Sequence, residues 1–172
     1  MATDLAKYDV TSRWLHWLHA SVILWATVSG LTVSLGHVSK SLEQAIGGFN
    51  VSITSLLIPF FAWRLLNRSV SQKPGYGQAL STAEVWLARA MHWALYGLTC
   101  VVLVSGVMRM DAPFSIFHLL LVPNLVASPT VIEVFDQLHI ISTRLLALCV
   151  LVHLLAVFKH QLRGTNILRR MI

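Results

Sequence analysis

Eight histidines punctuate this sequence, at His16, His19, His37, His92, His118, His139, His153 and His160. Imidazole is a metal ligand and a proton carrier. In an apolar setting its presence asks for an explanation. Two of the eight lie in "QLHIISTRLLALCVLVH" (137–153), which is otherwise apolar apart from a few polar residues and Arg144. On a helix, fourteen residues make about four turns, or roughly 21 Å. The same step leaves His139 and His153 only about 40° apart around the axis. They share one face, near opposite sides of a bilayer. His16 stands near the start of the first apolar stretch and His153 near the end of the last. Antiparallel helices of a bundle would bring those two rings to one depth, facing each other. Two imidazoles across a bundle core are a natural axial pair for a haem iron. Zinc would want three or four nitrogen or sulfur ligands. Cys100 and Cys149 fall in mid-stretch, where a thiol usually packs. Each histidine also has a plain reading, a hydrogen bond to a nearby carbonyl or to interfacial water.

The elements that must position these rings are membrane spans. The chain has 172 residues, 56% hydrophobic and 12% charged, and a mean hydropathy of +0.69. Soluble domains are about 25% charged, so the class is a membrane protein of one domain over 1–172. Apolar stretches at about 13–35, 44–66, 86–109 and 134–158 are each near or above the roughly 20 residues a spanning helix needs. Backbone groups must be satisfied inside lipid, so the expected fold is all-α, a four-helix transmembrane bundle. "FSIFHLLLVP" (114–123) is too short to span and reads as an apolar loop or re-entrant cap, closed by Pro123. "STAE" (81–84) has the pattern of a capping box. Glu133 and Asp136 are expected in the first turn of the fourth span. "SQKPGYG" (71–77) reads as a polar linker, and neither a repeat nor a low-complexity tract is visible.

Charge sets the expected orientation. Lys7, Arg13, Arg64, Arg68, Lys73, Arg89, Lys159, Arg163, Arg169 and Arg170 fall on one side, and only Lys40 and Arg109 on the other. By the positive-inside rule both termini are expected in the cytoplasm. The basic excess is thus a topology signal and gives no reason to expect nucleic acid. A polar N-terminus before a spanning-length stretch does not read as a cleavable signal peptide.

The ordered motifs "RWLHWLHA" (13–20), "HWALYGL" (92–98), "LH" (138–139) and "VHLLAVFKHQLRGTNILRRM" (152–171) resemble the bacterial cytochrome b561 family. That family is related to the cytochrome b subunits of hydrogenases and formate dehydrogenases. The resemblance runs from about residue 7 to 171. It implies a four-helix bundle with haem b in its core, in the bacterial inner (cell) membrane. It also implies electron transport between a quinone pool and a redox partner, as in a respiratory chain. Quinone or superoxide oxidoreductase activity is one form of this; a subunit of a larger dehydrogenase, or a degenerate structural subunit, is another. A homodimer is a further possible assembly. The family's cytoplasmic haem takes positions that match His16 and His153, which would give a six-coordinate, low-spin iron. Its periplasmic haem takes a position that matches His139 and a second-span histidine.

That second-span position is where this chain departs from the pattern. Its place in a His-x-Ser-x-Gly pattern fourteen residues before Arg64 is held by Asn50, and Thr54 stands for the glycine. An amide is a poor haem ligand, and Thr54 would crowd a porphyrin. The second haem is therefore absent, or held by a substitute (His37, His118 or Met108), or five-coordinate on His139. Arg13, His92 and His160 are candidate cofactor contacts, toward haem propionates or, for His92, a quinone headgroup. His19, one turn from His16, is a supporting partner or an alternative ligand. Trp14, Trp17, Trp63, Trp86 and Trp93 fit an aromatic belt against membrane lipids. Arg144 lies about 140° from His139 and roughly opposite His153. It reads as a snorkelling side chain or a contact with another membrane protein.

Overall fold

The computed structural model describes residues 6–36, 38–72, 74–75 and 80–172. Four long helices carry the chain: α1 (Val10–Ser34), α2 (Lys40–Val70), α3 (Thr82–Met108) and α4 (Pro129–Leu162). All four are long and apolar enough to cross a membrane. Each starts earlier than the apolar stretch inside it, because polar caps carry the ends. The Asp9 carboxylate accepts the Ser12 N–H at 2.8 Å, and the Ser39 hydroxyl accepts from Leu42. Ser81 and Glu84 exchange the two bonds of a capping box. Helix α4 opens at Pro129, whose fixed φ suits a first helical position. Glu133 and Asp136 consequently stand beyond the first turn, which holds no acidic residue. Asp136 instead pairs with Arg109 at the end of α3, at 2.7 Å, and ties α3 to α4.

The segment expected as a loop or re-entrant cap is an antiparallel hairpin. Strand β1 (Phe114–Ile116) pairs with β2 (Leu120–Val122), Ile116 opposite Leu120. Leu119 N–H donates to Ile116 O at 2.9 Å and closes the turn. Phe117 and His118 sit there at φ +48° and +60°. Left-handed backbone at both central positions matches the twist of a hairpin, although Asn and Gly usually supply it. The Ser52 hydroxyl of α2, itself buried, accepts the Phe117 N–H at 3.1 Å. It thereby pins the hairpin over one end of the bundle.

Helix α1 packs chiefly on α2, and α3 on α4. Val22, Leu57, Phe61 and Leu103 form the apolar centre. Ser29, Ser52, Thr99, Ser105 and Ser142 are buried among the helices, small side chains of the kind that let spanning helices approach closely. After α4 the chain reverses at Gly164, at φ +76°. Thr165 N–H bonds His160 O and Gly164 N–H bonds Gln161 O, the two bonds of a Schellman turn. A short 3-10 helix (Ile167–Met171) follows and runs back beneath α1.

Candidate functional site

A cavity opens between α1 and α4 at the end of the bundle rich in arginine and lysine. His16, His19 and Ala20 line it from α1, Phe61 and Arg64 from α2, and His92, Tyr96 and Thr99 from α3. His153 and Val157 line it from α4, and Leu168, Arg170 and Met171 close it from the tail. His16 and His153, expected from the sequence as facing rings, both border this space. His92 joins them, its ring 5.8 Å from that of His153. Arg13 and His160 stand elsewhere. Arg13 donates to the backbone carbonyl of Ile172 at 2.7 Å, and the His160 carbonyl accepts a backbone bond at the end of α4.

Partner chemistry fixes the tautomers of the two α1 histidines. Arg64 donates from Nη2 to His16 Nδ1 at 3.1 Å, from Nη1 to Leu15 O at 2.8 Å and from Nε to Tyr96 Oη at 3.0 Å. Guanidinium only donates, so His16 Nδ1 accepts, and a neutral ring carries its proton on Nε2. His19 is the reverse case. It is 3% exposed, and its Nδ1 lies 2.6 Å from Leu15 O. A carbonyl only accepts, so the proton sits on Nδ1. Nε2 is then a bare acceptor, buried and without a partner among the described residues. Such an atom costs about 1–3 kcal/mol when nothing meets it. Four imidazoles (His16, His19, His92 and His153) around an apolar cavity, with the guanidiniums of Arg64 and Arg170 at its edge, suit a flat apolar macrocycle that carries a metal and acidic arms. The donor set therefore fits haem.

The opposite end of the bundle is built differently. His139 turns toward α3, with Nδ1 3.1 Å from Val102 O and 3.2 Å from Ser105 Oγ. Gly106 makes room for the ring, since a Cβ there would meet His139 Cε1 at 3.1 Å. Asn50 turns the other way, onto α1. Its amide donates to Ser29 Oγ at 2.9 Å, and its Oδ1 accepts from Trp25 Nε1 at 3.0 Å. Thr54 Oγ1 bonds Asn50 O at 2.6 Å. Asn50 is thus a strut between α1 and α2. Among the candidate substitute ligands, His118 is exposed at the hairpin tip and Met108 ends α3. His37, and Lys73 of the basic side, lie outside the described residues.

Two parts of this site are not legible in the sequence. Arg64 reads there only as a topology charge and as the end-point of a motif, yet it links α1, α2 and α3 at the cavity wall. The tail reads as basic residues at an interface. Arg170 is instead 1% exposed. It donates to Ala6 O at 3.3 Å and to Pro74 O, and its guanidinium lies over the Tyr8 ring. Burial of "RRM" after a Gly turn has no signal in composition, because the partners come from residues more than ninety positions away.

Compared with known families, residues 7–172 match the family model for prokaryotic cytochrome b561. No curated protein matches the chain.

Proposed function

The chain belongs to the prokaryotic cytochrome b561 family, multi-pass membrane proteins that carry electrons on haem b, and we propose that this one passes electrons between a membrane quinone and a redox partner through one haem held between α1 and α4. The bound haem supplies the one-electron chemistry; the protein supplies ligands, burial and access. His153 of α4 and His16 of α1 would hold the haem iron. The observation that carries the reading is the apolar cavity that both rings border, with the ring of His92 beside that of His153. To hold the iron through Nε2, His16 would carry its proton on Nδ1, and Arg64 would then need another acceptor. A carboxylate arm of the cofactor is a chemically suitable one. His92, beside His153, would donate or accept at the cofactor's edge. Arg13 and His160, outside the cavity lining but at the same end of the bundle, keep a proposed role toward the cofactor's acidic arms.

No second haem is proposed. Asn50, where the family pattern has a histidine, spends its amide on Ser29 and Trp25 of α1, so the position that the pattern pairs with His139 offers no imidazole. A single haem near one face leaves an electron path that serves one leaflet or continues in another complex. We place both termini in the cytoplasm of a bacterial inner membrane, on the strength of the arginine and lysine count, and treat 1–172 as one domain.

Haem per purified chain, measured as the pyridine haemochrome, tests the proposal directly. One is expected. Two would overturn the single-haem count, and none would overturn electron transfer by this chain. His153→Ala should lose the haem; a variant that kept a full, unchanged spectrum would remove His153 from the ligand set.

A further inference from the structure

Helix α4 carries a charge that the bundle does not use. Arg144 is exposed on its outer surface, with no hydrogen bond or ion pair among the described residues. Nine residues separate it from His153, a rotation of about 180°, so it faces away from the cavity. Its depth is set by its own helix. Arg144 lies eight residues from Asp136 and fifteen from Lys159, about 12 Å and 22 Å along the axis. Those two flanking charges mark the ends of the apolar part of α4, so the guanidinium root is well inside it. Charged side chains at such depth normally face a bundle interior or pair with another polar group.

The neighbours of Arg144 form a seam. Ile141, Arg144, Leu148, Leu151 and Leu155 recur at alternating steps of three and four, all on the exposed face. The leucines and isoleucine of this run are 54–57% exposed. This spacing is that of a helix–helix seam, in which one polar residue selects the partner and its register. The partner chemistry follows from charge, and a second copy of this chain cannot supply it. The chain has seven acidic residues. Asp4 and Asp9 precede α1, and Glu43 and Glu84 are in the first turns of α2 and α3. Asp111 follows α3, and Glu133 and Asp136 lie within the first eight residues of α4. No spanning segment offers a carboxylate near the depth of Arg144.

We propose that the outer face of α4 docks a transmembrane helix of a different protein, one that carries an Asp or Glu within its span to meet Arg144. The inference deepens the idea of a larger membrane complex but needs only the arrangement of spans, and stands or falls separately from the haem count. A photo-crosslinking residue at Leu148, in the full chain in membranes of its native host, tests it. The expected result is an adduct to another membrane polypeptide whose crosslinked span contains Asp or Glu. Arg144→Leu should lower its yield at least tenfold, and Arg144→Lys should retain most of it. Replacing the partner's carboxylate by Lys together with Arg144→Glu should restore the adduct. Haem content, read on the same samples, should stay at the wild-type value in every Arg144 variant, which shows that the bundle is intact. An adduct at twice the chain mass, crosslinks to lipid alone, or a yield unaffected by Arg144→Leu would each overturn the proposal.

Discussion

Removing the Arg64 guanidinium should loosen the cavity wall by a predictable amount. Its three donors bridge α2 to Leu15 O and His16 Nδ1 on α1 and to Tyr96 Oη on α3. Polar side-chain bonds within membrane proteins are worth about 0.6 kcal/mol on average and up to about 1.7. Three such bonds give about 2–5 kcal/mol. Removing the charge itself recovers part of that, because an isolated charge is costly in the membrane. Arg64→Met should therefore destabilise the haem-free protein by about 1–4 kcal/mol. Arg64→Lys should recover only a fraction, since one ammonium cannot reach three acceptors on two helices. Tyr96→Phe removes a single bond and should cost about 1 kcal/mol. The decisive measurement is the double variant. Arg64→Met with Tyr96→Phe should be no less stable than Arg64→Met alone, because the second substitution finds its partner already gone. Reversible unfolding in mixed detergent–SDS micelles reads all four proteins. Strict additivity, or an Arg64→Met change under about 0.5 kcal/mol, would refute the bridge.

Other predictions test the remaining supports. Asn50→Ala breaks the strut to Ser29 and Trp25 and should cost about 1–2 kcal/mol in the same assay. Ser81→Ala removes the capping box of α3 and should cost about 1 kcal/mol. Asp9 adds a pH dependence. The side-chain hydroxyl and backbone N–H of Ser12 hold its carboxyl below the ordinary value of 3.8. A carboxylate depressed in the folded state contributes stability above its unfolded value, and that contribution is lost as pH falls through the folded one. Wild type should therefore lose more stability than Asp9→Asn between pH 5 and pH 2.5. Equal acid slopes for the two proteins would argue against the cap.

The spans are readable because twenty apolar residues have few other uses. Their ends are not, because Asp9, Ser39, Ser81 and Pro129 extend each helix by local bonds that hydropathy does not register. The hairpin is hidden for a related reason. "IFHL" lacks the Asn-Gly or Asp-Gly of a tight turn, and the Ser52 hydroxyl that accepts the Phe117 N–H lies on another helix. The site divides in the same way. The positions of His16 and His153 within their spans are enough to bring both to one end of the bundle, where they border the same cavity. The direction of Arg64 depends on Leu15, His16 and Tyr96 all coming within its reach. At Asn50 the departure from the family pattern is plain. That its amide is consumed by Ser29 and Trp25 is not, since those residues lie on a different span.

The tail gives the cavity a place in time as well as in space. Met171 O accepts from Trp17 Nε1 at 2.7 Å, and Tyr8 N–H bonds Arg170 O at 3.1 Å. Residues near 8 and 17 are made first, and those near 170 only after all four helices. A ribosome exposes the imidazoles of α1, α3 and α4 in turn, yet the floor beneath them arrives last. The floor of the cavity is thus completed by bonds between the two ends of the sequence, and it forms only once both are present.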